Sequence, residues 1–365
     1  MHLSAAMKGL LDKEWRHSRG YLLITLLIII YAPVITTMFR LMQGDAAVWQ
    51  WGQELNYTLH FRTELMHPET YGGILEWLPF LGSVFLGIII LGEEQSSSLK
   101  YLMSTPVSRR QIILSKFIPG AATILIAILI NAFFMIVFDW LHPMPFESPD
   151  VLNWTMLAGA LCLASYTLGL MAATFTSGVL AAGTVVFLLN MLPGMLVGMI
   201  ENIAVRYFAA SQAVSIRIYN IGSYFGLHNY ISRNGRDIDH IDHYTNFITI
   251  TGISSNNGAS CPDYILESGI LLVLVVLLLT LAVIIFERIS LFTGGALFTS
   301  NWARKTGLAL GSAYLAYILA FARTDSLFTF IIWWCILTGL MFASVDILYR
   351  LRRHGWRMFR SRPTN

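Results

Sequence analysis

Residues 92–116 read GEEQSSSLKYLMSTPVSRRQIILSK, set between ILEWLPFLGSVFLGIIIL at 74–91 and IPGAATILIAILINAFFMIVF at 118–138. The flanks carry a single charged side chain, Glu76, whereas the quoted stretch carries Glu93, Glu94, Lys100, Arg109, Arg110 and Lys116. Crossing the hydrocarbon takes about 20 apolar residues as a helix, because no backbone N–H or C=O can stay unpaired in lipid. The quoted stretch is therefore a polar loop joining two membrane helices. Its adjacent carboxylates, serine run, proline and adjacent arginines exceed what a short connection needs.

Working outward, the composition agrees. Of 365 residues, 56% are hydrophobic and only 12% charged, with mean hydropathy +0.62, against roughly 25% charged in soluble domains. The reading is an all-α, polytopic membrane protein with eight spans, at 21–42, 74–91, 118–138, 151–175, 179–200, 264–286, 306–322 and 327–349. A formal net charge of +3 gives no nucleic-acid partner. Cys162, Cys261 and Cys335 lack CxxC spacing, so neither a disulfide framework nor a zinc site is expected.

Lysine and arginine orient the spans. Seventeen fall on one side, in the amino-terminal segment, the quoted loop, the sixth-to-seventh loop and the tail. Six fall on the other: Arg62, Arg206, Arg217, Arg233, Arg236 and Arg323. Both termini and the quoted loop are thus expected in the cytoplasm, with larger external segments at 43–73 and 201–263.

The amino-terminal segment alternates at helical spacing. Leu3, Met7, Leu10, Leu11 and Trp15 share one face, and Lys8, Asp12, Lys13, Arg16 and Arg19 the opposite one. An amphipathic helix over residues 1–20, lying along the inner interface with its cations near lipid headgroups, is the expectation. Glu14 falls among the apolar residues and requires a neighbouring donor.

In the loop, Ser108 and Gln111 have capping-box spacing, which predicts a helix starting at Ser108. Pro106 separates that helix from a short helix or turn over 99–104. Arg109 and Arg110 then sit in a first turn, where the macrodipole disfavours cations. Lipid phosphate or an acidic patch on a cytoplasmic partner are the compensating groups considered. Leu99, Leu102 and Met103 offer apolar knobs beside them. Glu93 and Glu94 have Lys100, Arg109 or the basic amino-terminal helix as prospective partners.

The run Glu93, Pro106, Val107, Ser108, Arg109, Ile112 and Lys116 resembles the second-to-third-span segment of ATP-binding-cassette exporter permeases of the second type. There an acidic residue closes the second span, a coupling helix ends near a Pro-x-Ser-Arg turn, and a lysine follows. Lys13-Glu14 within 8–19 is similar to that family's "elbow" helix. This chain departs in Ser97-Ser98, where Gly-Thr is common, and in having eight spans instead of six. The resemblance covers the first six spans (a core at 21–286) and leaves 287–349 as a two-span extension before a basic tail, 350–365.

The resemblance implies a non-catalytic permease subunit in a plasma membrane, of bacterial type, without a cofactor of its own. ATP and Mg2+ would sit on separate cytoplasmic ATPase subunits, and a second permease subunit, identical or related, would complete the path. The expected ATPase-coupling residues are Glu93, Glu94, Leu99, Leu102, Met103, Pro106, Ser108, Arg109 and Arg110. ATP-driven closure would push 99–108 and tilt the second and third spans.

What the chain lacks points the same way. There is no GxxxxGK[ST] phosphate loop. Ionisable residues cluster near span ends, where they make a poor proton relay. The sparse central charges suit an amphipathic cargo such as a lipid, peptide or antibiotic. Asp237, Asp239, His240, Asp242 and His243 form the one cluster suggesting metal, without an HExxH motif. Rival readings are a metal-dependent membrane hydrolase, an ion-coupled secondary transporter, and an ATP-driven complex that signals or remodels the envelope without transport. Gly194-xxx-Gly198 and Gly307-xxx-Gly311 are candidate close-packing motifs.

Overall fold

The computed structural model describes residues 5–43, 72–92, 108–141, 148–176, 178–211, 264–288, 301–324 and 326–360, with isolated positions between 214 and 227. Its order is α1 (Ala5–Gln43), α2 (Gly72–Gly92), α3 (Arg109–Leu141), α4 (Ser148–Phe175), α5 (Val179–Phe208), α6 (Tyr264–Arg288), α7 (Asn301–Arg323) and α8 (Leu327–Arg360). All eight expected spans are helices. Among the described residues six are long and apolar enough to cross a membrane, and Leu78–Gly92 within α2 is a shorter apolar stretch. The chain is a multi-pass membrane protein.

Two boundaries differ from expectation. The amphipathic segment and the first span form one helix, since α1 runs 39 residues with no interruption near Gly20. At 1.5 Å per residue that is about 58 Å, roughly twice the hydrocarbon thickness. The tail is likewise absorbed, because α8 continues to Arg360.

The chain divides into two compact units, Met1–Met195 with Tyr219–Thr299, and Leu196–Ile218 with Ser300–Asn365. In the first unit α4 is the central element: nearly all of its apolar stretch between Trp154 and Phe175 is buried, whereas most of that of α6 is not. Small residues on α4, among them Ala158, Ala160, Ala164, Ala172 and Ala173, are buried and leave room for neighbours. The tightest approach joins α2 and α4. A Cβ on Gly87 would lie 2.2 Å from the Tyr166 carbonyl oxygen, and one on Gly169 would lie 2.4 Å from that of Val84. Only glycine fits where two backbones touch.

One proline inside these helices is compensated from a neighbouring helix. In α1, residue 33 is a proline and cannot donate to the Ile29 carbonyl. The buried Asn131 of α3 supplies that donor instead, Nδ2 to Ile29 O at 3.0 Å. Ser83 Oγ donates to Pro79 O in α2, and Thr123 Oγ1 to Pro119 O in α3, back-bonds to the prolines' own carbonyls that do not replace the missing donors.

The second unit is held by aromatic packing. Tyr207, Tyr317, Phe321 and Phe330 meet at centroid separations of 5.4–6.4 Å, and Trp334 stacks on Phe330. Trp334 Nε1 also donates to Ala313 O at 2.8 Å. Three of the glycines flagged in the sequence make no close helix contact within the chain. A Cβ on Gly198, Gly307 or Gly311 meets nothing within 4 Å among the described residues. Gly307 and Gly311 are exposed, whereas Gly87 and Gly169, where two backbones touch, belong to no GxxxG pair.

Candidate functional site at the start of the third helix

The expected cap forms. Ser108 N donates to Gln111 Oε1 at 3.0 Å and Gln111 N donates to Ser108 Oγ at 3.3 Å, closing a reciprocal capping box. The Ser108 carbonyl accepts from Ile112 N at 3.2 Å, so α3 starts where the spacing predicts.

The two arginines after the cap are engaged within the chain. Arg109 Nη1 donates to Phe286 O at 3.0 Å and to Glu287 O at 2.9 Å. Both carbonyls belong to the last turn of α6, whose final four C=O groups have no helical partner. Arg110 meets the Glu287 carboxylate through Nε to Oε1 at 2.5 Å and Nη2 to Oε2 at 3.4 Å. The compensation that the first-turn cations require thus comes from the negative end of α6.

Two turns further along α3, Lys116 is enclosed. Its Nζ lies 3.0 Å from Glu14 Oε2, with both side chains at most 2% exposed. It also donates to Ile90 O at 3.1 Å, an orphan carbonyl near the end of α2. Lys13 Nζ reaches Glu14 Oε1 at 3.3 Å. Glu14 therefore finds the donor its position demanded, on a helix a hundred residues away. The buried stripe of α1 runs Met7, Leu10, Glu14, Ser18, Leu22, Thr25 and Ile29. Trp15, grouped with the apolar face in the sequence, is 56% exposed and lies outside that stripe.

Tyr166 closes the junction from α4. Its hydroxyl donates to Lys116 O at 2.9 Å and lies 3.4 Å from Phe117 O. The ring rests on Gly120, where a Cβ would sit 2.4 Å from its Cζ and OH. At this one level of α3, side chains or carbonyls from α1, α2 and α4 converge on Lys116. A buried ion pair gains little net stability because desolvation offsets the attraction, but removing one partner strands a charge and costs about 3–5 kcal/mol. The junction is consequently a firm joint.

Of the expected coupling residues, the structure describes Ser108, Arg109 and Arg110 and brings them together. Glu93, Glu94, Leu99, Leu102, Met103 and Pro106 lie outside the described residues, as do Asp237, Asp239, His240, Asp242 and His243. Among the described residues no group of three His, Cys, Asp or Glu side chains could hold a metal. Glu14, Lys116, Tyr166 and Glu287 were not among the expected site residues. The signal for Glu14 was an acid inside an apolar stripe. For Lys116 it was a cation two turns past a cap and four residues before a glycine.

Residues 10–291 match the family model of the ABC-2 family transporter proteins. With well over half its length matched, the chain belongs to that family and is the membrane-spanning permease subunit of an ABC transporter, a type that associates with ABC ATPase subunits. Comparisons with curated proteins and with solved structures found no match. Helices α7 and α8 lie beyond the matched residues.

Proposed function

We propose that this permease exports an amphipathic substrate, a lipid, peptide or antibiotic, on energy from ATP hydrolysed by separate cytoplasmic ATPase subunits. The ATPase docks on residues 93–107, with both termini on the same side of the membrane. A second permease subunit completes the path. The observation that carries the mechanism is the convergence on Lys116. The chain leaving the loop enters α3, and within two turns it is bonded to α1, α2 and α4. A push on the loop is delivered to four helices together instead of being absorbed by one flexible strut. ATPase closure then tilts this group and opens the path outward.

The test is co-purification of the full chain with its ATPase, followed by reconstitution into liposomes. The natural pair should bind and move an amphipathic tracer only with ATP. Leu99→Asp with Leu102→Asp should lower ATPase capture while membrane insertion is unchanged. Full capture by that double variant would remove 93–107 from the docking role.

A further inference from the structure

We propose that Arg109 and Arg110 are positioning residues, clasping the end of α6 to the start of α3, and that the ATPase does not bind through them. This rests on the permease reading above and departs from the family resemblance, which implies a coupling role for both arginines. The argument starts from the helix dipoles. A cation in the first turn of α3 is disfavoured by its own helix, and an anion in the last turn of α6 is disfavoured by its own. Each becomes favourable only against the other helix: Arg110 beside a negative C-terminus, Glu287 beside a positive N-terminus. The two charges are therefore suited to each other and poorly suited to standing alone.

Arg109 adds direct satisfaction of backbone groups. One guanidinium nitrogen serves the two carbonyls of Phe286 and Glu287, the groups a helix end leaves unpaired. Arg110 spans both oxygens of Glu287, the fork geometry that suits guanidinium to carboxylate. An acidic patch on an ATPase would have to displace these bonds before it could use either arginine. Lys116 does the same for α2 through Ile90 O. The first two turns of α3 thus cap two helix ends.

Two measurements on the full chain separate this role from a docking role. The first needs no ATPase: hydrogen exchange of the last turn of α6 in the reconstituted permease. Arg109→Gln should raise exchange there about tenfold, the change expected for losing a charge-assisted cap. Unchanged exchange overturns the clasp. The second is ATPase capture by charge swap. Arg110→Glu and Glu287→Arg should each lower capture, and the double variant should recover most of it. Loss with Arg110→Glu, none with Glu287→Arg, and no recovery in the double variant would put Arg110 on the ATPase and overturn the proposal. If the natural chain captures no ATPase, the permease reading fails at that point, and the exchange measurement still decides the clasp.

Discussion

Two ionic contacts lie six residues apart along one helix and differ in almost every physical respect. Lys116 and Glu14 are enclosed, with side chains 0% and 2% exposed. Arg110 and Glu287 meet at the surface, 68% and 34% exposed. The first pair is out of reach of salt and water, so its integrity is close to all-or-none. The second stands in a screened environment, where an ion pair contributes little and can part and re-form. The proposed passage of motion from the loop to the bundle uses both properties: a joint that holds and a clasp that yields. On the proposed mechanism, the buried pair keeps α3 fixed to α1, and the exposed pair is the contact free to change.

The largest effect should come from breaking the buried joint. Lys116→Met leaves Glu14 enclosed and without its main partner, which should lower stability by about 3–5 kcal/mol. The readout is a fall in the midpoint of thermal unfolding in detergent. Adding Glu14→Leu should restore most of the loss, because a well-packed apolar pair replaces a buried ion pair at little cost. A double variant as unstable as the single one would show that the joint depends on something other than charge.

Next in size is Gly120→Val, which drives a side chain into the ring of Tyr166 and detaches its hydroxyl from Lys116 O. Overpacking of this kind costs about 1–3 kcal/mol, seen as a lower unfolding midpoint. Tyr166→Phe, which keeps the ring and loses only the bond, should cost less than Gly120→Val. The reverse order would mean that the hydrogen bond, not the seat, holds α4 to α3.

Asn131→Leu strips the donor from Ile29 O, which Pro33 cannot serve, at a cost of about 1–3 kcal/mol. It should lower the unfolding midpoint without changing ATPase capture, because the site lies well along α3 from the loop. The smallest effect on stability belongs to Arg110→Gln, whose difference from the natural chain should vanish as salt is raised. A salt-independent loss would show that the clasp is not electrostatic.

Much of this was legible in the sequence, for identifiable reasons. Apolar length finds membrane helices because lipid enforces internal backbone bonding, and the α3 cap was visible because a capping box is a local pattern four residues long. Glu14 announced a need for a donor without revealing where it lay, since the contact between residues 14 and 116 follows no periodicity. The real close approach at Gly87 and Gly169 pairs one glycine from each of two helices, a pattern that a search along one helix cannot see. Trp15 was misgrouped because hydrophobicity alone does not separate a face turned to protein from one turned to solvent or lipid. The arginines were read as awaiting an external partner because the end of α6, some 180 residues later, could not be foreseen as their neighbour. Nor does hydropathy show that α5 contributes residues to both compact units.

The central claim is that force enters through the loop before α3 from a separate nucleotide-hydrolysing chain. The most direct measurement is tracer movement in liposomes holding the purified permease, with and without its ATPase subunit and ATP. The account predicts no vectorial movement from the permease alone and ATP-dependent movement from the pair. Movement by the lone permease, driven by an ion gradient or by no added energy source, would contradict it.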